Sequence, residues 1–229
     1  MRRIPPDTYD RPWLILCEGE GDRQFFNRLI EKHDIGNGRY DVHFPGKEGD
    51  PTGGRGKFGT WLSMRMVSSE TFRENVKAVL IISDNDDDPD LSFTEIQAGL
   101  RAAGGFGVPE QEHTVVQQPG YPAIVIFMIP PGEHGNLETL CLRAAYRKWP
   151  LKEALDVYVG ATPANDWRLG KQSKMRMQAL LAAICKKKPD TTFSWHWQQP
   201  EEYHVPVSDP CFSDVVDFLK HFEELLATA

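Results

Sequence analysis

The 229-residue chain is 40% hydrophobic and 26% charged, with a formal net charge of −7; that is an ordinary globular composition, with ample length for a sizeable core. The negative balance argues against broad attraction to nucleic acid, although it leaves room for a local basic groove. No apolar run approaches the ~20 residues of a membrane helix, and the opening MRRIPPDTYDRP has no apolar signal-peptide core, so a cytoplasmic location is expected.

Trp13-Leu14-Ile15-Leu16-Cys17 reads as a buried strand running straight into Glu18-Gly19-Glu20-Gly21-Asp22. Asp22 to Lys32 then places Phe25, Phe26, Leu29 and Ile30 at helical spacing, which makes strand, glycine-bearing turn and helix the opening of a βα unit. The turn is EGEGD rather than GxGxxG, and its three carboxylates would repel a dinucleotide pyrophosphate.

Tyr40 to Phe44 alternates as a second strand and leads into PGKEGDPTGGRGKFGT, a polar loop with Lys47, Arg55 and Lys57. Walker A fails there, because Phe58 follows Gly56-Lys57 and Pro51 stands where a glycine is required. Two readings stay open: a basic loop that grips a phosphate beside a metal, or a mobile connector. A largely helical stretch from Phe58 to about Val76 is expected to bury Trp61, Leu62, Met64 and Met66.

Ala78-Val79-Leu80-Ile81-Ile82 lacks polar alternation and is rich in β-branched residues, as suits a strand covered on both faces of a parallel sheet. It ends in DNDDDPD, five aspartates in seven residues. Carboxylates crowded at the carboxyl end of a central strand raise one another's pKa unless a cation offsets them, and oxygen ligands of this kind suit Mg²⁺ or Mn²⁺. The competing reading is a solvated acidic loop with an aspartate N-cap. Glu18 ends its strand as Asp84 ends its own, so if the two strands are parallel neighbours, ~4.8 Å apart, these carboxylates can share one ion.

Leu91 to Ala103 is read as a helix closed by Gly104-Gly105, with Phe93, Ile96 and Leu100 inward. Thr114-Val115-Val116 and Ala123 to Ile129 are read as further strands. The second of these is followed by a helix whose first turn holds Glu138, a favourable place for an acid in any case. Leu151 to Val159 is a short helix, and Ser173 is expected to cap another that carries Lys171, Lys174 and Arg176 at its start, cations for an outside anion to hold. Phe193 to Trp197 alternates aromatics, read as an edge strand or packed aromatic face in preference to a base-stacking surface. Asp214 to Leu226 closes the chain as an amphipathic helix. Cys17, Cys141, Cys185 and Cys211 lie far apart without a zinc pattern and read as thiols. Without repeat or linker, the chain is expected to form a single domain over residues 1–229, with its core at about 11–148 and a helical portion over about 149–229.

A strand ending in glutamate within LILCEGEGD, followed by a strand ending in VLIISDND, resembles the TOPRIM domain shared by topoisomerases, DnaG-type primases, OLD-family nucleases and small nucleases. The GG-x-x-K loop at Gly53 to Lys57, the segment ending at Glu138, Lys174 before its helix and the closing DPCFSDVVDFL are similar to a group of small standalone bacterial TOPRIM-like proteins. The resemblance implies an α/β fold with a mainly parallel central sheet. It implies Mg²⁺ or Mn²⁺ bound by Asp84 and Asp86, with Glu18 as acid/base or further ligand. Carried over from OLD-type nucleases, it also implies Asp22 and Glu138 at a second ion and Lys174 facing the scissile phosphate. The activity it implies is metal-dependent cleavage of DNA or RNA, with a defence effector working beside a partner ATPase as one setting. The alternative is a non-catalytic module whose acidic pocket holds a metal, nucleotide or partner protein.

Overall fold

The computed structural model describes residues 8–46 and 53–228. Lys47 and Pro51 of the glycine-rich loop lie outside the described residues. In the described residues, four strands form one all-parallel sheet: β1 (Trp13–Leu16), β2 (Tyr40–His43), β3 (Ala78–Asp84) and β4 (Ala123–Ile129), in the order β2-β1-β3-β4. Leu16 lies opposite His43 on one side and Ile81 on the other, so β1 and β3 are parallel neighbours, and Asp84 pairs with Ile129 at the far end of β3.

Both faces of the sheet are covered, which explains why its strands are apolar throughout. Successive side chains on a strand point to opposite faces. Ile15, Leu80, Ile82, Val125 and Phe127 enter one buried cluster, with Phe25, Phe26, Leu140, Leu180 and Phe212. Leu14, Leu16, Val79, Ile81, Ile124 and Ile126 enter the other, with Phe58, Leu62, Phe72, Ile96 and Leu100.

The helices sort accordingly. On the first face lie α1 (Glu20–His33), α5 (Leu137–Lys148), α7 (Leu169–Ile184) and α9 (Ser213–Lys220); on the second lie α2 (Phe58–Ser68), α3 (Glu70–Asn75) and α4 (Pro89–Ala103). The chain thus leaves β1 over one face to reach β2 and returns over the other to reach β3. The gap between β1 and β3 is therefore the point where the winding reverses, and the crevice outside the carboxyl ends of the strands at such a point is where open α/β sheets bind ligands. Close packing of α2 on α4 depends on Gly59, where a Cβ would come within 2.0 Å of the Gly99 carbonyl oxygen.

The remaining described helices, α6 (Lys152–Gly160), α8 (Phe193–His196) and α10 (Phe222–Ala227), complete a C-terminal portion without strands. Several local expectations are corrected. Residues 114–116 form no strand, since Val116 makes one isolated bridge to Ile124. Ser173 does not cap α7 but lies inside it, donating to the Leu169 carbonyl, because the helix starts at Leu169. Phe193 to His196 is a short helix capped by Thr192, not an edge strand. The closing helix breaks at His221 into α9 and α10. Met64 is exposed on α2, whereas Trp61 and Leu62 are buried. No described helix is long and apolar enough to cross a membrane.

Candidate functional site

The reversal point is lined by acids from both strands and from two helix starts. Glu18 stands two residues beyond the end of β1, and its Oε1 accepts hydrogen bonds from the Ser83 hydroxyl at 2.5 Å and from the Asp84 backbone N–H at 3.1 Å. Asp22, in the first turn of α1, accepts from the Gly19 N–H at 2.9 Å, closing the EGEGD turn on itself. Asp84, 6% exposed, accepts the Leu137 N–H at the start of α5 at 2.9 Å, so that helix end helps to hold it. Glu138 is the next residue of α5.

The start of α7 is tied to the start of α5, which brings a cation over these acids. Asn136 caps α5 and donates to the Gly170 carbonyl at 3.0 Å, while the Thr139 and Ser173 hydroxyls lie 3.0 Å apart. Lys174 is thereby brought beside Glu138, Asp84, Asp22 and Glu18, which raise its pKa against the lowering effect of burial. Of the expected cationic trio only Lys174 faces the acids, for Arg176 is paired with Asp156.

Glu18, Asp22, Asp84, Glu138 and Lys174 line one cavity of about 630 Å³. Burial and mutual repulsion push Asp22 up to about 8, with Glu138 and Glu18 the main neighbours. Asp84 is raised well above the usual carboxylate range by burial and then by Glu18 and Asp22. Burial raises Glu138 as well, partly offset by Lys174. Carboxylates whose pKa values burial and mutual repulsion raise are suited in donor type to a hard divalent cation. They are not gathered as a finished coordination sphere: among the described residues no three His, Cys, Asp or Glu side chains stand ready to grip an ion.

The DND tripeptide divides its labour. Asp86, expected as a metal ligand beside Asp84, does not line the cavity. Its backbone is left-handed (φ 49°) and it is ion-paired with Arg55. Asn85 between them is 2% exposed and donates to the Pro130 and Glu133 carbonyls, fastening the end of β3 to the loop after β4. Asp88 accepts the Leu91 N–H as the N-cap of α4, so the bland reading of the aspartate run holds for that member.

Arg55 has partners that no local pattern identifies, in a loop whose sequence leaves a phosphate grip and a mobile connector both open. Its guanidinium, 10% exposed, instead pairs with Asp86 and stands 3.6 Å from both Glu18 and Glu95. Two glycines make this possible: a Cβ at Gly53 would lie 2.1 Å from the Glu18 carbonyl oxygen, and Gly54, at φ 109°, donates its N–H to that same oxygen. The GG pair before a basic residue was the visible signal for this docking.

The far wall of the cavity is aromatic. Phe193, Ser194, Trp195 and Gln198 of α8 and the turn after it face the acids, with Phe44 also lining the space. This wall meets α1 at Gly21, where a Cβ would lie 2.7 Å from the Phe193 ring, so the second glycine of EGEGD makes room for the aromatic wall.

Comparison with known proteins places this chain in a family. The model described as "Protein of unknown function (DUF3226)" matches residues 12–224, and the chain belongs to that family. No curated protein matches the sequence. Two solved structures of the C-terminal region of the OLD protein from Xanthomonas campestris pv. campestris are similar to it at 12% and 11% identity, with TM-scores of 0.41 and 0.42. The alignments cover 97% and 96% of this chain and 100% and 99% of those. At that TM-score they carry no argument about the site.

Proposed function

From membership of the DUF3226 family, whose description assigns no activity, we propose a function read from the site itself: divalent-cation-dependent cleavage of phosphodiester bonds in nucleic acid. The observation that carries the reading is the convergence of Glu18, Asp22, Asp84, Glu138 and Lys174 on one cavity at the winding reversal of the sheet. The resemblance of LILCEGEGD and VLIISDND to TOPRIM motifs supports it independently.

Asp84, Glu138, Asp22 and Glu18 would hold Mg²⁺ or Mn²⁺, which supplies Lewis-acid activation of water and neutralises charge on the scissile phosphate. The remaining chemistry belongs to the chain. Leu137 N–H fixes the Asp84 carboxylate, and the Ser83 hydroxyl and Asp84 N–H fix Glu18 with one oxygen turned to those donors. Glu18 is placed to move a proton at the attacking water. Lys174 supplies a fixed positive charge for a phosphate oxygen, a preorganised contribution of the kind that dominates such displacements.

One observation favours a second reading, a non-catalytic acidic pocket that binds a cation or nucleotide: the ligands are not assembled in advance. The decisive experiment incubates purified protein with single- and double-stranded DNA and RNA in Mg²⁺ or Mn²⁺, beside an Asp84→Asn control. Cleavage by the wild type that the control lacks is the expected result. Metal binding without turnover on any of the four substrates would leave the binding module in its place.

A further inference from the structure

The cavity does not end at the acids. It runs to α8, where Trp195 is 51% exposed although its neighbours His196 and Trp197 are buried. The short helix that carries Trp195 is well packed on either side of it. Phe193 is seated on Gly21, its ring stacks with His196 at 5.3 Å between centroids, and His196 meets Trp197 at 4.0 Å. A large apolar ring thus stands half exposed at the lining of the cavity, on a helix anchored by its neighbours. Ser194 and Gln198 flank it with hydrogen-bonding groups.

The charge changes from the cavity to the surface next to it. The acid end of the cavity is carboxylate and needs cations before it can admit a phosphate. Outside the lining, the Lys188 Nζ lies 5.0 Å from the centre of the Trp195 ring, and Lys186 and Lys187, which precede it in the chain, are exposed. At about 630 Å³ the space falls within the ~300–1,000 Å³ range of small-ligand sites, so it has room for one nucleotide unit.

We infer that this cavity receives single-stranded nucleic acid, with one unpaired base laid on Trp195, its edge facing Ser194 and Gln198, and the adjoining phosphate directed to the Lys174 end. This deepens the phosphodiesterase reading and rests on it for the role of the acids. Stacking on an aromatic face is open to any base but requires that the base be free of its duplex, so paired DNA or RNA is disfavoured. The Lys186 to Lys188 run meets the flanking backbone, which lets a chain of net negative charge bind a polyanion locally.

The test is equilibrium binding of fluorescent oligothymidylate, oligouridylate and a blunt hairpin duplex, with Ca²⁺ replacing Mg²⁺ to hold the ligand uncut. Trp195→Ala is expected to weaken binding of the single strands by about 5- to 150-fold, the range of a lost base–aromatic stack. Trp195→Phe should restore most of it, and Lys188→Ala should flatten the salt dependence. Because Trp195 is exposed, unchanged thermal unfolding of Trp195→Ala is expected and is measured alongside. Preference for either oligonucleotide, if lost in Trp195→Ala, supports the inference. Equal affinity of Trp195→Ala and wild type, or hairpin binding as tight as single-strand binding, overturns it. If Trp195 controls binding while the wild type cuts nothing in Mg²⁺, the cleavage reading fails and this one stands.

Discussion

The acidic rim has two halves that differ in how their charge is met. On the Arg55 side, Glu18, Asp86 and Glu95 surround one recessed guanidinium at ion-pair distance. On the Lys174 side, Asp22, Asp84 and Glu138 share one lysine, and all three are pushed upward in pKa. Glu18 borders both. Each half sets three carboxylates against one cation, but on the Arg55 side Asp86 and Glu95 are 42% and 53% exposed and water screens their excess charge, whereas on the Lys174 side burial leaves the excess unscreened, which is where an incoming cation gains the most. Under the proposed function this contrast makes Asp84 a stronger candidate ligand than Asp86, although the two are equivalent in the DND sequence.

The largest expected effect comes from treating those two aspartates alike. Asp84→Asn keeps an oxygen for the Leu137 N–H and removes only the charge, so the fold should persist while cleavage falls by about 10²–10³-fold. Asp86→Asn should lose far less. Equal losses in a single-turnover assay would break the division of the rim.

Next in size are the two cations. Lys174→Met should lower the rate about 10–100-fold and cost less in unfolding free energy than Arg55→Met, since Lys174 makes no ion pair within 4.0 Å among the described contacts and the acids it leaves behind can take up protons. Arg55→Met should do the reverse in urea titrations, costing about 1–3 kcal/mol. The cost falls below that of a fully buried pair because Asp86 and Glu95 are 42% and 53% exposed. A stability loss in Lys174→Met as large as that in Arg55→Met would show both cations to be structural.

A thermal-shift series sharpens the same point. Mn²⁺ should raise the unfolding temperature of the wild type and of Asp86→Asn, but not of Asp84→Asn; by linkage, an ion at 100 times its dissociation constant adds about 2.7 kcal/mol. A shift abolished by Asp86→Asn instead would place the ion on the Arg55 side.

The smallest effect supplies a background for pH titrations of either half. His196, buried behind Trp195, has its pKa lowered from 6.5 to about 3, first by burial. A depressed histidine contributes stability that is fully present above pH 6.5 and is lost as pH falls toward 3, because the unfolded chain takes up the proton first. The loss is at most about 1.4 kcal/mol per pH unit. Calorimetry from pH 7.5 to 5 should show His196→Phe declining less than the wild type; parallel curves would remove His196 from the account.

Much of this protein is written in patterns that a linear reading can follow. The apolar runs at 13–16, 78–82 and 123–129 become parallel strands because a segment without polar residues can be satisfied only where both faces are covered. The positions of Glu18 and Asp84 at strand ends follow from the same runs, since the chain turns polar where burial stops. Helical spacing likewise located α1, α4 and α5, because the 3.6-residue period is a local property.

What required tertiary structure were the partnerships across the chain. Arg55 and Asp86 are 31 residues apart and Lys174 and Glu138 belong to different helices, so no local rule could assign each cation to its acids. Ser173 falls inside α7 because the helix begins four residues earlier at Leu169, and the aromatic alternation of Phe193 to Trp197, which fits a strand locally, is taken up in a short helix and the residue after it. Gly21 shows the reason: its sequence announces a turn, but it lies in the first turn of α1, and only the approach of Phe193 from the other end of the chain explains the crowding a side chain would meet there.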